Sequence, residues 1–393
     1  MKRFVQKGMI QILGNGNSPS GGTGDSSGGS TLVAREKEVN FRDYDGTILY
    51  SYTVEEAAKL KELPPLPTQE GLVCQGWNYT LDEIKEAGNE LNVGAMYITD
   101  DGKTRIYITL NDEYKSPALI LTSLTRSNVI IDWGDNSTNT ITITASSYTK
   151  HDYAAAGDYV ITITVESGEI TLNHDSGTGW CHSILTNSSG SSDSINKTYG
   201  LAIKRVEIGS GVTGIGTHAF YQCQNLTNVT IPAGVTTIGE NAFYEDYILS
   251  NLIIPAGVTS VGKYAFRDCR NLKSLIISPT VINIEQYAFL NCYCPGICVP
   301  PNITTIGSCA FMQCGITSVI IPAGVTSIGT YAFYQCYFVR CYDFTKCTSV
   351  PTLEGTNAFS GNFSFKILVP ATLVDEWKAA TNWSTLAKNI VGV

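Results

Sequence analysis

The sequence contains little charge and little histidine. Asp, Glu, Lys and Arg make up 16% of its 393 residues, and there are four histidines, whereas about a quarter of the residues of an average soluble protein are charged. The 26 Lys and Arg residues are outnumbered by 35 Asp and Glu, so the formal net charge is −9. This balance argues against nucleic acid or an anionic membrane as partner. Such a composition is more typical of a structural or binding protein than of an enzyme.

Long apolar runs are also absent. No stretch approaches the ~18 residues needed to cross a bilayer, so no membrane insertion is predicted. The basic start, MKRFVQKGMIQIL, contains only a short apolar stretch, Met9–Leu13, and no small-residue cleavage site. The last residues, KNIVGV, offer no anchor helix. We therefore predict no secretory signal, synthesis in a cytoplasm, and arrival at any outside position by another route.

Changes in composition divide the amino-terminal part of the chain. Residues 1–31 are a short segment followed by a Gly- and Ser-rich tether that cannot bury a core. Residues 32–112 predict a small α+β module with a hairpin around RDYDG and Thr-x-x-Glu capping boxes at Thr53 and Thr80. A second hairpin, AMYIT-DDGK-TRIYITL, is expected at the end of this module.

Short β-rich runs with turn residues between them predict a β-sandwich over residues 113–172. Asp132-Trp133-Gly134-Asp135, followed by TKHDYAAAGDYVITITV, resembles the PKD family of immunoglobulin-like modules. The resemblance implies a core Trp133 and a spacer or binding platform without enzymatic activity. Asp132 and Asp135 could hold calcium, but stabilisation of the turn is favoured. Residues 173–199, with His174, Cys181 and His182, predict a linker or an irregular first coil.

The sequence repeats itself over residues 200–366, and this repeat is the strongest indication of the fold. An Ala-Phe pair recurs every 22 or 23 residues through the first six units and after 26 in the last, at Ala219-Phe220, Ala242-Phe243, Ala265-Phe266, Ala288-Phe289, Ala310-Phe311, Ala332-Phe333 and Ala358-Phe359. Each unit supplies a short strand and apolar groups that it cannot cover alone. Stacked units, ~4.8 Å apart, bury them in one column. About seven coils would give a stack roughly 33 Å long.

The fullest unit, LTNVTIPAGVTTIGENAFY from Leu226, resembles the leucine-rich repeats of the BspA-like surface-protein family. Residues 367–393 are similar to the terminal cap of that family, with a helix from Thr372–Asp375 and with Trp377 and Trp383 closing the column. The predicted fold class is thus multidomain and mainly β. It comprises a small α+β module, a PKD/Ig-like β-sandwich, a leucine-rich-repeat β-solenoid and a C-terminal helical cap.

Five of the twelve cysteines fall into the repeat pattern. Cys223, Cys269, Cys292, Cys314 and Cys336 each follow a repeat Phe by three residues, and Asp246 holds that place in the remaining unit. This spacing predicts a buried ladder of free thiols. Zinc at Cys292, Cys294 and Cys298 is the alternative, but no fourth ligand is evident.

Three motifs associated with catalysis have structural explanations. Asp43-Tyr-Asp45-Gly-Thr47, with Asp100-Asp101, resembles haloacid-dehalogenase-type phosphatases, but Asp-Gly hairpin turns explain both sites. Gly24-Asp-Ser-Ser-Gly28 lies in the tether, where a serine nucleophile has no oriented base. Gly209-x-Gly211-x-x-Gly214 occupies the turn of a coil. We predict no enzyme, no metal site and no cofactor.

The variable positions beside Ala-Phe supply a candidate binding surface. Stacking places them in rows along one face, and Tyr, Arg and Met are typical of contact surfaces. The alternative is that they only cover the rim of the column. The predicted binding residues are His218, Tyr221, Asn241, Tyr244, Tyr247, Tyr264, Arg267, Tyr287, Tyr293, Tyr331, Tyr334, Tyr337 and Arg340.

The amino-terminal module, which includes VNFRDYDGTILYSYT, resembles segments of tail or fibre proteins from bacteriophages of gut bacteria. With the missing signal, this resemblance favours a virion structural or receptor-binding protein, located in the virion. Its expected partners are a host cell-surface protein or glycan, and other virion proteins through the N-terminal region. Analogy with fibres suggests a homotrimer. The alternative is a BspA-like adhesin on a bacterial cell surface.

Overall fold

A computed structural model describes residues 38–87, 91–172, 183–186, 199–294, 299–317, 319–362 and 364–393. The predicted tether at 1–31 and most of the predicted linker at 173–199 lie outside these ranges. In the described part of the chain, no helix has the length and apolar character required to span a membrane.

The amino-terminal module is a four-stranded sheet carrying two short helices, in the strand order β2-β1-β4-β3. Its elements are β1 Glu38–Arg42, β2 Ile48–Thr53, α1 Val54–Ala57, β3 Leu72–Trp77, α2 Leu81–Ala87 and β4 Leu91–Thr99. Both capping boxes form, since Thr53 Oγ1 accepts from the Glu56 backbone N–H and Thr80 Oγ1 accepts from that of Glu83. Phe41 and Trp77 pack edge to face in its core.

The predicted second hairpin is wrong. The next strand, β5 Thr104–Leu110, does not pair with β4; it pairs with two strands from other parts of the chain. Its inward face, Ile106, Ile108 and Leu110, is buried in the sandwich core. Asp101-Gly102 therefore turns the chain from one sheet into another, because the core that a strand's apolar face joins decides its partner.

The sandwich is built from strands of residues 104–186. They are β5, β6 Ala118–Thr122, β7 Ser127–Asp132, β8 Thr138–Ile143, β9 Ser146–Lys150, β10 Gly157–Ser167, β11 Ile170–Leu172 and β12 Leu185–Thr186. Trp133 is fully buried, stacks on His151 and donates from its indole N–H to Asn139 Oδ1 at 2.6 Å. Trp133 is therefore a core residue, as expected.

The carboxyl-terminal part is a β-solenoid of about eight turns. Its strands are β13 Ile203–Glu207, β14 Val212–Ile215, β15 Asn228–Thr230, β16 Thr237–Ile238, β17 Asn251–Ile254, β18 Ser260–Val261, β19 Ser274–Ile277, β20 Asn283–Ile284, β21 Thr305–Ile306, β22 Val319–Ile320, β23 Ser327–Ile328, β24 Cys341–Asp343, β25 Thr352–Leu353, β26 Lys366–Val369 and β27 Ile390–Gly392. Neighbouring coils pair in parallel, for example Ser260 with Asn283.

The repeat phenylalanines form one internal column, as predicted. All seven are at most 1% exposed. Consecutive rings stack with centroids 5.1–5.6 Å apart. Each repeat alanine is fully buried beside them, where its small side chain allows the close approach of adjacent coils.

The sandwich and the solenoid share both of their sheets. Strand β13 pairs with β5 on one side and β15 on the other, and β14 lies between β11 and β16. The Ile184 N–H donates to the Ala219 carbonyl at 2.7 Å, as the Phe220 N–H does to Ala242 one coil later. Ile184 thus takes the place of a repeat phenylalanine. The sandwich covers the first coil, and one core runs from Ile106 to Ile390.

The amino-terminal module packs against the solenoid. Tyr79 OH donates to the Ile277 carbonyl at 3.0 Å, and the Ala233 N–H donates to Gln75 Oε1 at 2.9 Å. A Cβ atom at Gly94 in β4 would lie 2.8 Å from Ile253 Cδ1. Strand β4 therefore lies against the coils closely enough to exclude a side chain at Gly94.

Gly94→Val should loosen this packing and lower the free energy of unfolding by about 1–3 kcal/mol, since overpacking costs that much in well-packed cores. Thermal unfolding and limited proteolysis of the module are the measurements. Gly234→Val is the matched control, because a Cβ there meets nothing within 4 Å. Equal effects of the two substitutions would contradict the proposed packing.

The carboxyl-terminal cap comprises the 3₁₀ helices η1 Ala371–Leu373 and η2 Trp383–Asn389, the helix α3 Val374–Ala379, and β27, which pairs with β26. Trp377 and Trp383 are fully buried and both contact Phe344. The Trp383 indole N–H donates to the Pro351 carbonyl at 2.8 Å. Both tryptophans close the column, as predicted.

Candidate binding surface

Stacking of the coils creates four rows of residues at the turn that carries Ala-Phe, and most of these residues are at least partly exposed. The pre-Ala row is His218, Asn241, Tyr264, Tyr287, Cys309 and Tyr331; the post-Phe row is Tyr221, Tyr244, Arg267, Leu290, Met312 and Tyr334. The polar row, one residue further on, is Gln222, Glu245, Asp268, Asn291, Gln313 and Gln335. The outer row, two residues beyond that, is Gln224, Tyr247, Arg270, Tyr293, Gly315 and Tyr337.

All twelve residues of the pre-Ala and polar rows have left-handed backbone conformations, with φ between 55° and 62°. This conformation is uncommon for residues other than glycine, and Asn, Asp and His tolerate it best. Asn241 shows that asparagine fits the pre-Ala position. Tyr264, Tyr287 and Tyr331 occupy the same position although bulky side chains there cost of order 1–3 kcal/mol. Local backbone preference therefore does not explain these tyrosines.

The aromatic side chains of the first coils form a continuous stack. The rings of Tyr221 and Tyr244 stack at 5.0 Å, and those of Tyr264 and Tyr287 stack at 4.8 Å. The Arg267 guanidinium lies 5.2 Å from the Tyr244 ring centroid and 5.7 Å from that of Tyr264, and so joins the two pairs. Because the rings face one another, the stack exposes the edges of the rings to solvent more than their faces.

Asp268 positions two of the basic residues. Its carboxylate is nearly buried and accepts from Arg267 Nε at 3.2 Å, from Arg270 Nη2 at 2.8 Å and from Asn291 Nδ2 at 3.0 Å. Although burial acts in the opposite direction, these hydrogen bonds lower the pKa of Asp268. The ionised carboxylate holds both guanidinium groups in place and offsets part of their charge.

The remaining predicted residues lie on the same turn, except Arg340, which immediately precedes β24. His218 hydrogen-bonds Asn241 at 3.1 Å, and the Tyr247 ring lies below the Arg270 guanidinium at 5.3 Å. Three further residues belong to the later coils: Tyr331 packs edge to face against Tyr334, and Arg340 is exposed.

Sequence reasoning missed two contributors to this surface, Phe338 and Asp268. Phe338 is 58% exposed, beside Tyr337 at 37%, and Tyr293 is 54% exposed. The consecutive aromatic pair Tyr337-Phe338 was the available signal for the first. No sequence signal marked Asp268, because its role depends on side chains from three positions in two coils.

The cysteine ladder forms as predicted. The five thiols are buried and free, and each of the last four donates to the carbonyl of a Phe in the preceding coil at 2.9–3.1 Å. Burial raises the pKa of Cys336 to about 12. Cys336 is thus a poor nucleophile. Of the alternative zinc ligands, Cys298 lies outside the described residues.

The other candidate sites are occupied by structural hydrogen bonds. Asp43 accepts from Tyr97 OH at 2.5 Å and Gln69 Nε2 at 2.6 Å at the β1–β2 hairpin. Asp135 accepts from Ser137 Oγ at 2.5 Å and contacts His151 Nε2 at 2.8 Å. The same His151 nitrogen is the one facing Ser137, so these three groups do not form a proton relay. Within the described ranges no cluster of potential metal ligands occurs.

No curated protein matches this chain. Similar solved structures include a leucine-rich repeat protein from Bacteroides ovatus, with 22% identity, a TM-score of 0.34, and coverage of 41% of this chain and 48% of that one. A leucine rich cell surface protein from Faecalibacterium prausnitzii shows 23% identity, a TM-score of 0.29 and coverage of 47% and 62%. A leucine rich repeat protein from T. pallidum shows 20% identity and a TM-score of 0.29, with coverage of 47% of this chain and 87% of that one. The chain spans less than two thirds of the first two.

One family profile matches the repeats. It is the BspA type leucine rich repeat region, which matches residues 196–314 and 282–374 and is present in six copies. These residues coincide with the coils whose phenylalanine column and thiol ladder are described above. Residues 196–374 of this chain are therefore similar to BspA type leucine-rich repeats.

Proposed function

We propose that this protein is a non-enzymatic, BspA-like adhesin of a bacterial cell surface. In this proposal the Tyr/Arg surface, defined as Tyr221, Tyr244, Tyr264, Arg267 and Tyr287, contacts a protein or glycan on another cell. The match of residues 196–374 to BspA type repeats supports the adhesin reading. The proposal also agrees with the finding that Asp43, Asp135 and the ladder thiols form hydrogen bonds within the fold.

The observation that carries the proposal is the left-handed backbone at Tyr264 and Tyr287. A residue that folds less favourably than asparagine at the same position must contribute something other than local stability. The left-handed backbone recurs through all six coils of the pre-Ala row, so the choice of tyrosine at this position, and not the backbone conformation itself, points to a contact role. Mutual stacking of the two rings offsets part of the strain, since aromatic pairs contribute about 0.5–1.5 kcal/mol beyond their area.

Preorganisation is the second support. The Arg267 side chain is held by Asp268 and by two tyrosine rings. A partner that binds it loses little side-chain entropy, because immobilising a free side chain costs about 0.5–1.5 kcal/mol. Tyr and Arg are also the residue types enriched among the energetically dominant positions of interfaces.

The test is the double substitution Tyr264→Asn/Tyr287→Asn. Asparagine suits the backbone, so we expect thermal stability to be retained while binding to intact epithelial cells falls at least tenfold. Thr236→Asn/Thr259→Asn, at exposed positions immediately before β16 and β18, is the matched control. Protease or periodate treatment of the cells distinguishes a protein from a glycan. Unchanged cell binding by the Tyr variant would refute the proposed surface.

The second candidate function is a phage tail or fibre protein that recognises a bacterial host. It rests on the resemblance of the amino-terminal module, whereas the repeat match favours the adhesin. Binding assays on bacterial cell envelopes separate the two. Strong binding to envelopes without binding to epithelial cells would favour the virion protein.

A further inference from the structure

The sandwich has one open side. On the other side its two sheets continue into the solenoid through β13 and β14. On the open side the sheets end at β8 and β9, which are joined by only two residues, Thr144 and Ala145. The far end of the solenoid is covered by β27 and the helical cap. In the described ranges, by contrast, no strand pairs with the outer edge of β8.

The outer edge of β8 presents the backbone groups of its threonines. Strands β7 and β8 pair antiparallel from Asp132↔Thr138 to Ser127↔Ile143 with no register shift. Just before this ladder, the Trp133 N–H donates to the Ser137 carbonyl at 3.1 Å. Hydrogen-bonded pairs alternate along an antiparallel ladder, so every second residue from Ser137 bonds to β7. The residues between them direct their N–H and C=O groups outward, and these residues are Thr138, Thr140 and Thr142.

This edge lacks the features that keep sheet edges apart. Natural edge strands are protected by charged residues, proline, bulges or a covering element. Residues 136–149 contain no Asp, Glu, Lys, Arg or Pro, and the three outward threonines are exposed. Strand β2, another edge, pairs with β1 through a bulge between Phe41 and Arg42, and β9 ends at the charged Lys150. Strand β8 is thus a straight, neutral template for a further strand.

The edge is complementary to itself. In antiparallel pairing about a twofold axis at Thr140, this residue lies opposite its own copy, and Thr138 lies opposite Thr142 of the second copy. Each of these pairs can exchange two N–H···O=C bonds, and Thr–Thr cross-strand pairs are favourable. The net charge of −9 makes two copies repel one another in general. At this edge, however, no like charges meet, so a second copy fits it.

We propose that this protein forms a twofold-symmetric homodimer in which β8 pairs antiparallel with β8 of a second copy. The eight-stranded sheet then continues from one copy into the other. Twofold pairing occupies the open edge of both copies, so assembly through β8 ends at a dimer. It does not produce the homotrimer predicted by analogy with fibres. The inference is independent of the proposed adhesive function and goes beyond it.

The experiment is sedimentation equilibrium of the full chain over a range of concentrations, with the variants Thr140→Pro and Thr140→Val. Proline removes the outward N–H but no bond to β7, and edge strands accept proline at such positions. Valine keeps the N–H and is the matched control. We expect Thr140→Val to dimerise like the unmodified chain. The dissociation constant of Thr140→Pro should be at least about tenfold higher, because two backbone hydrogen bonds across the axis are lost.

A second variant tests the edge without altering the backbone. Thr140→Lys places two like charges opposite one another across the axis, which is destabilising in cross-strand pairs. It should weaken the dimer, and more so at low salt than at high salt. A dimer that is indifferent to this change would reject pairing through β8.

Four further results overturn the inference: a chain that is monomeric at every concentration, a trimer, a dimer that Thr140→Pro leaves unchanged, and equal weakening by proline and valine. Circular dichroism and thermal melting check each variant. Loss of the fold in Thr140→Pro would show that this N–H bonds within the sheet, and would also overturn the inference. The comparison of Tyr264→Asn/Tyr287→Asn with its control in cell binding tests the adhesive function separately.

Discussion

Phe266→Ala should lower the free energy of unfolding by about 3–5 kcal/mol, the usual effect of truncating a buried phenylalanine. The Phe266 ring stacks between those of Phe243 at 5.1 Å and Phe289 at 5.3 Å. Its removal leaves a cavity that interrupts the column in the middle of the solenoid. Chemical denaturation followed by circular dichroism measures the effect.

The consequence should extend beyond one coil. In a repeat protein each coil is stabilised through its two neighbours, so a cavity at Phe266 weakens two interfaces. Met312→Ala, at a half-buried position of the post-Phe row, is the control and should cost much less. If Phe266→Ala lowered the free energy of unfolding by less than about 1 kcal/mol, the phenylalanine column would not be a main source of the solenoid's stability.

Asp246→Cys should stabilise the protein at neutral pH. Asp246 occupies the ladder position between Cys223 and Cys269 and is fully buried, and neither carboxyl oxygen makes a hydrogen bond of good geometry with a described residue. A cysteine there would donate to the Phe220 carbonyl, as the later thiols do to theirs. Relief of an unsatisfied buried group is worth about 1–3 kcal/mol, or about 2–4 °C in melting temperature per kcal/mol.

The gain should depend on pH. Burial raises the pKa of Asp246 well above its usual range, although the Cys223 backbone N–H acts in the opposite direction. The folded state then holds a proton that the unfolded state releases, so the stability of the unmodified chain falls as pH rises from the ordinary carboxyl pKa. The charge of Glu245 also raises the pKa of Asp246. The neighbouring thiols of Cys223 and Cys269 stay protonated, because burial raises their own pKa values.

Melting temperatures from pH 4 to pH 8 test this expectation. The difference between Asp246→Cys and the unmodified chain should grow with pH over that range. Asp246→Asn, which removes the charge but keeps the shape, should show a difference from the unmodified chain that grows with pH in the same way. A difference that stays constant with pH would show that Asp246 does not titrate in the folded protein.

The repeat region was predictable because its determinants are periodic. The spacing of Phe243, Phe266 and Phe289 fixed which side chains share the core, and the spacing of the cysteines fixed the ladder. The turn role of Asp43-Tyr-Asp45-Gly-Thr47 was also a local inference, and the β1–β2 hairpin confirms it. The rows of the candidate surface followed from the same periodicity.

The orientation of the surface residues was not predictable in this way. Whether Tyr264 and Tyr287 present faces or edges depends on their stacking and on Arg267, which reaches them from another row. Asp268 was missed for the same reason, since its three hydrogen-bond donors come from two coils.

The sequence by itself determined the length of each coil and which phenylalanine and cysteine it buries. Each unit repeats the same local pattern, and stacking places the same residues of successive units in one column. Only the tertiary structure decided that β5 joins the sandwich, that both sheets continue into the solenoid, and that Gly94 lies against Ile253. These features depend on which apolar faces and open strand edges meet across long separations along the chain. An alternating strand encodes that it has a buried face, but not which neighbour covers it.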